Sequence, residues 1–271
     1  MTRDPSRPQQ PPQLELRDVE ITYPGAAGAP PVRAVRGIDL RVEAGEAVGL
    51  FGESGSGKSS LALAVLSLLP AGSERRGEIR FAGERLDGLG EASWRRIRGR
   101  RIGLVFQQPS LALHPLRSVG SQLVDVLSSH TPLGRGEIRE RSAALFRELE
   151  LEPEHLSARP HQLSGGQQQR ACLALALAAE PSLLIADEPT TALDSETEDR
   201  VLDLLRRLRL RRRLSLLVIS HDPAVLERLS TRLYALCAGR VIEEGPTSRL
   251  LESPRHPHLT GLLAHRSARL G

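Results

Sequence analysis

The chain has 271 residues, 39% of them hydrophobic and 26% charged, a composition that supports a globular domain with a substantial core. No apolar stretch reaches the roughly 18 to 20 residues needed to cross a bilayer, and the longest candidates, such as Leu173 to Ala179, break off within about two helical turns. A net charge of +4 permits an anionic partner without specifying one, no nucleic-acid partner is expected, and the two distant cysteines, Cys172 and Cys237, read as small buried side chains.

In chain order, residues 1–13 are rich in proline and glutamine and have no apolar run after their charges, so they read as a flexible tail, not a secretory signal. Ala47 to Phe51 reads as a buried strand and Ser59 to Leu68 as a helix. Between them lies Gly52-Glu53-Ser54-Gly55-Ser56-Gly57-Lys58-Ser59, the spacing of a phosphate-binding P-loop, with Ser60 next in line. Glycines there let backbone N–H groups turn toward one centre, and the following helix adds its positive end. Lys58 would reach the outer phosphates of a nucleotide, and the Ser59 hydroxyl would ligate Mg²⁺. Thirty-six of the 37 basic residues are arginine and Lys58 is the sole lysine, so this position demands a slender point charge.

Ile102 to Phe106 reads as a strand, followed by Gln107 and a helix-rich stretch that includes Glu137 to Leu149. Ser164, Gly165, Gly166 and Gln167 open a strongly helical segment, Gln168 to Ala179; this is either a second anion-seeking helix end or an ordinary cap built on Ser164. The apolar run Pro181 to Ala186 ends in Asp187 and Glu188, as expected of a strand delivering carboxylates to a ligand site at its carboxyl end. Asp187 would face Mg²⁺, and Glu188 would polarise an attacking water. The basic run Arg206 to Arg213 alternates with leucines and reads as a solvated helix face.

Leu163-Ser164-Gly165-Gly166-Gln167 is identical to the signature of ABC ATPases, and it lies between P-loop and acidic strand as in that family. The resemblance covers roughly residues 14–250. It implies an α/β fold, a P-loop NTPase core of ABC type (14–108 and 163–250) with an N-terminal antiparallel β subdomain and an inserted helical subdomain (109–162), then a C-terminal tail, 251–271. Residue by residue, Tyr23 resembles the aromatic that stacks on adenine and Gln107 the Q-loop glutamine, at once hinge, catalytic contact and metal ligand. Ala192-Leu193-Asp194 looks like the D-loop, placing Asp194 at the nucleotide, and His221 like the switch histidine. The implied cofactors are ATP and Mg²⁺. The implied partners are a second ATPase subunit paired head to tail, two integral membrane permease subunits and, indirectly, an extracytoplasmic substrate-binding protein. The protein would then lie peripherally on the cytoplasmic face of the membrane.

Phe106-Gln107-Gln108-Pro109, the stretch Ala186 to Asp194 and Ser253-Pro254-Arg255-His256-Pro257-His258 resemble the oligopeptide, dipeptide and nickel importer branch. That branch usually has aspartate where Gln108 stands and tyrosine-threonine where His258 and Leu259 stand. The implied function is ATP hydrolysis powering import of short peptides, or of nickel. The alternative is an ATPase accessory of a soluble phosphonate-degrading complex, a task that the same branch also serves. DNA-repair and translation members of the family would carry a long coiled coil or tandem ATPase units, and neither is visible in this sequence.

Overall fold

The computed structural model describes residues 11–25, 29–191 and 193–267. Most of the expected N-terminal tail, 1–10, and Ala192 of the D-loop therefore lie outside the described residues. Residues 11–13 are held to the body: Gln13 donates from Nε2 to Ser182 Oγ at 2.8 Å, and its carbonyl accepts from Ala82 N–H.

The chain runs β1 (Leu14–Tyr23), β2 (Val32–Val42), β3 (Ala47–Phe51), α1 (Lys58–Val65), β4 (Glu74–Phe81), β5 (Glu84–Arg85), α2 (Glu91–Ile97) and β6 (Ile102–Val105). It continues with α3 (Pro109–Ala112), α4 (Val119–His130), α5 (Arg135–Glu148), α6 (Gly165–Leu177), β7 (Leu183–Asp187) and α7 (Ser195–Arg212). The last elements are β8 (Ser215–Ser220), α8 (Pro223–Leu229), β9 (Arg232–Cys237), β10 (Arg240–Pro246), α9 (Thr247–Glu252) and α10 (Pro257–Ser267).

A six-stranded sheet has the order β10-β9-β3-β8-β7-β6, parallel except at the β9–β10 edge, and a four-stranded antiparallel sheet has the order β2-β1-β4-β5. Every residue of β3, β7 and β8 is buried, because the parallel sheet is covered on both faces. Alternation assigns the two sides: Leu184, Ala186, Leu216 and Val218 point into one apolar cluster with the helices, while Leu183, Ile185, Leu217 and Ile219 point into a second with the antiparallel sheet. Val119, Leu123, Ile138 and Phe146 of the insert belong to the first cluster, so the inserted helices share a core with the sheet's outer face. The sequence-level fold, an ATPase core with an antiparallel β subdomain and inserted helices, is the one observed.

The arginine-rich run lies on α7, where Leu204, Leu205 and Leu208 are buried while Arg206, Arg207 and Arg211 are exposed. Arg207 pairs with Glu150 and Arg212 with Glu148, joining α7 to the end of α5. The segment 251–271, read from sequence as a tail, carries the whole of α10, with Leu259 1% exposed in the core and Leu262 and Leu263 packed beside it. Among the described residues, no helix is long and apolar enough to cross a membrane.

Candidate functional site

The P-loop leaves the end of β3 and enters α1. A Cβ at Gly52 would lie 2.4 Å from the Leu236 carbonyl oxygen, and Gly57 combines a φ of 102° with a backbone neighbour, Ala34 O, 2.6 Å from where its Cβ would be. Both positions admit only glycine. Lys58, 7% exposed, donates from Nζ to Gly52 O at 2.8 Å, Glu53 O at 2.7 Å and Ser56 Oγ at 3.3 Å. Burial pushes its ammonium below the usual lysine range, against the opposing pull of Glu188, Asp187 and Glu53.

The strand β7 delivers Asp187 beside that loop. Its carboxyl is pushed above the usual carboxylate range, chiefly by burial and also by Glu188, against a hydrogen bond from Ser59 and the charge of Lys58. Its buried Oδ1 has no hydrogen-bond partner. Because the folded state favours the protonated acid, ionisation at neutral pH costs folding free energy. That cost is absent below the ordinary carboxylate range and present in full above the raised value. Asp187→Asn is therefore expected to raise the melting temperature of the nucleotide-free protein at pH 7.5, by about 2–4 °C for each kcal/mol of relieved cost. The gain should fade on acidification, and calorimetry across pH checks both statements.

Glu188 follows in a left-handed conformation, φ 49°, which re-aims the chain after the strand. Its N–H donates to Ile219 O at 2.8 Å, and its Oε1 accepts from the His221 backbone N–H at 3.0 Å and lies 2.6 Å from His221 Nδ1. Thr191 and Ser220 donate hydroxyl hydrogen bonds to Oε2 at 3.3 and 3.4 Å. The carboxylate is thus held between the ends of two adjacent parallel strands, where an open α/β sheet gathers its ligands.

These groups converge on a cleft of about 770 Å³. Of the residues singled out by sequence, Tyr23, Gly52, Glu53, Ser54, Gly55, Gly57, Lys58, Ser59, Ser60, Gln107, Glu188 and His221 line it. Ser56 and Asp187 lie outside the lining, in contact with Lys58 and Ser59 respectively. Tyr23 reaches across the start of α1 and donates from its hydroxyl to Ser60 Oγ at 3.0 Å. Arg33, Arg36 and Leu262 also line the cleft and were not anticipated; only an assembled hairpin and a docked α10 bring them there.

Ser164, Gly165, Gly166, Gln167 and Asp194 do not line this cleft. Ser164 caps α6 by accepting from Gln167 N–H at 3.3 Å, and the Gln167 side chain accepts from Ser164 N–H at 2.8 Å. Asp194 caps α7 by accepting from Thr197 N–H at 2.9 Å, which holds its carboxyl below the usual range. A Cβ on Gly166 would meet Thr197 Cγ2 at 2.3 Å, so the starts of α6 and α7 depend on this glycine to approach. Gly166→Ala is expected to cost about 1–3 kcal/mol of unfolding free energy without nucleotide, measurable by denaturant titration.

The family model for the ABC transporter matches residues 35–191, more than half the chain. The protein belongs to the ABC transporter family. As an ABC ATPase it binds nucleotide and hydrolyses ATP. It is 42% identical to the probable D,D-dipeptide transport ATP-binding protein of Escherichia coli (strain K12), over 93% of this chain and 77% of that relative. It is also 42% identical to the oligopeptide transport ATP-binding protein of Mycobacterium bovis, over 93% of this chain but 41% of the relative's length. Among solved structures, a dimeric ATP-binding cassette in a post-hydrolysis state bound to ADP and Pi superposes with a TM-score of 0.76 at 31% identity. That match covers 86% of this chain and 98% of the other.

Proposed function

We propose that this ABC ATPase powers the import of short peptides, as one of two ATPase subunits paired head to tail beneath two permease subunits on the cytoplasmic face of a membrane. The observation that carries the pairing is the division of the site. Lys58, Glu188 and His221 line one cleft, while the capped helix end Ser164–Gln167 lies outside it, an anion-seeking terminus free to complete the cleft of a second copy. The similar cassette of known structure is dimeric. The peptide cargo rests on the relatives, which are named for dipeptide and oligopeptide transport, and those names do not favour the phosphonate-complex accessory.

In this reading Lys58 exchanges its carbonyl partners for the outer phosphates, Tyr23 packs on the base, and Glu188 takes a proton from the water that attacks the terminal phosphorus. The products are ADP and phosphate. His221, bonded to Glu188, orients that carboxylate. Ser59 and Asp187, whose buried Oδ1 has no protein partner, fit a hard divalent cation and would hold it at the cleft. Among the described residues no cluster of three acidic, histidine or cysteine side chains forms a cage of its own. When bound, Mg²⁺ neutralises charge on the phosphate oxygens; Gln107, on the cleft lining, is assigned to the same ion.

The insert 109–162 would transmit nucleotide state to the permeases by turning about Gln107. Supporting this, Phe106 (43% exposed), Leu68 (39%) and Leu116 (74%) present apolar surface near the insert, the first two in a groove of about 260 Å³. Purification of the tagged protein from native membranes should recover two integral membrane proteins, and the reconstituted complex should hydrolyse ATP faster when a peptide-loaded binding protein is added. Recovery with soluble enzymes only would refute the importer.

A further inference from the structure

A second concavity, about 860 Å³, lies wholly within the helical insert, between α4, α5 and the short turn Pro153–Leu156. None of its lining residues takes part in the nucleotide site. Its size falls in the range of small-molecule sites. Val124, Ile138, Ala143 and Leu156 supply an apolar floor, and Val124 is 41% exposed. No carboxylate lines the groove.

Its charge is one-signed. Arg135 and Arg139 stand one turn apart on α5, and neither guanidinium has a hydrogen-bonding or acidic partner among the described residues. Like charges at this spacing repel. Two other arginines of the insert are ion-paired, Arg141 to Glu180 and Arg117 to Asp125, while Arg147 and Arg159, like Arg135 and Arg139, have no acidic partner among the described residues. The groove hydroxyls are partly spent on the chain itself, since Ser142 donates to Ile138 O at 2.8 Å and Ser157 to Glu154 O at 2.7 Å. Apart from the Ser128 hydroxyl, the side-chain polarity left for a ligand is cationic.

We propose that this groove binds a small anionic amphiphile, its carboxylate or phosphate head between Arg135 and Arg139 and its apolar body along Val124, Ile138 and Leu156. A charged head bonded by guanidinium forks is held more tightly than neutral polar contacts would hold it, and the apolar floor rejects a bare ion. Such a ligand touches α4, α5 and the turn together, so it ties the pieces of the insert to one another.

The test is isothermal titration of the full chain with decanoate, decyl phosphate and decyltrimethylammonium. The two anions should bind with one site per chain and the cation at least roughly tenfold more weakly. The double variant Arg135→Glu/Arg139→Glu should lose roughly tenfold or more in affinity for both anions. Val124→Asp, at an exposed position that does not threaten folding, should weaken decanoate while ATP turnover stays unchanged. Equal affinity for the cation, or anion affinity unmoved in both variants, would overturn the proposal. Co-sedimentation with phosphatidylglycerol vesicles that both variants weaken would assign the ligand to a membrane lipid. Decanoate binding without co-sedimentation would assign it to a free acid. Vesicle binding without decanoate binding would reduce the arginines to a surface patch and also overturn the groove.

Discussion

Glu188→Gln is expected to keep ATP affinity within about threefold of the unsubstituted protein while lowering turnover by roughly 10²- to 10⁴-fold, the contribution of a positioned general base. The two properties separate because the carboxylate is held by groups an amide can still satisfy: the carbonyl oxygen of glutamine accepts from His221 N–H where Glu188 Oε1 does at 3.0 Å. The left-handed backbone at Glu188 and its N–H bond to Ile219 O depend only on the main chain and survive the substitution. The amide cannot accept a proton from water. Removing a negative charge beside a polyphosphate also relieves repulsion, so affinity should hold or rise, and the variant should accumulate as ATP-bound dimers if ATP joins the two subunits. Equilibrium binding of a fluorescent ATP analogue, phosphate release and size-exclusion chromatography with ATP measure the three effects. Unchanged hydrolysis would remove Glu188 from its assigned role.

What the sequence revealed of this site depended on how local each feature is. The P-loop was legible because glycines, lysine and flanking apolar runs must be contiguous to make the cradle, and β3 occupies its expected span, Ala47–Phe51. Helix ends were less legible. The helix expected to reach Leu68 stops at Val65, where Ser67 takes φ 52° and the N–H groups of Ser67 and Leu68 return to Ala64 and Leu63 carbonyls. The end of α5 is built the same way on Glu150, φ 56°. No glycine announces either stop, so the apolar pattern overran them. The helical start at Gly165, three residues ahead of the expected Gln168, follows from Ser164 acting as cap as well as signature residue. Arg33, Arg36 and Leu262 were invisible for a different reason: their place at the cleft comes from the β1–β2 hairpin and from docking of α10 through Leu259, contacts that no local pattern encodes.

Lys58→Arg should be nearly as damaging as removing the side chain, although it preserves the charge. ATP affinity is expected to fall at least roughly tenfold, and hydrolysis at least a hundredfold, by the loss of a phosphate contact made in the transition state. The reason lies in the geometry of the acceptors. Gly52 O, Glu53 O and Ser56 Oγ surround one point, at 2.8, 2.7 and 3.3 Å from Nζ, and the side chain is only 7% exposed. A planar fork cannot place several donors on one point without displacing the loop that must wrap the phosphates. Where the chain does hold a part-buried arginine well, the acceptors are spread to match. Arg232 donates from Nε and Nη2 to the two oxygens of Glu46, both at 2.9 Å, while Nη1 donates to Tyr234 Oη at 2.7 Å. Burial disfavours the Lys58 ammonium when no phosphate is present, and an arriving phosphate would offset that penalty. Binding of a fluorescent ATP analogue to Lys58→Arg and Lys58→Ala, compared side by side, decides between shape and charge. An arginine variant within twofold of the unsubstituted affinity would show that charge alone suffices, and the solitary lysine among 37 basic residues would then need another cause.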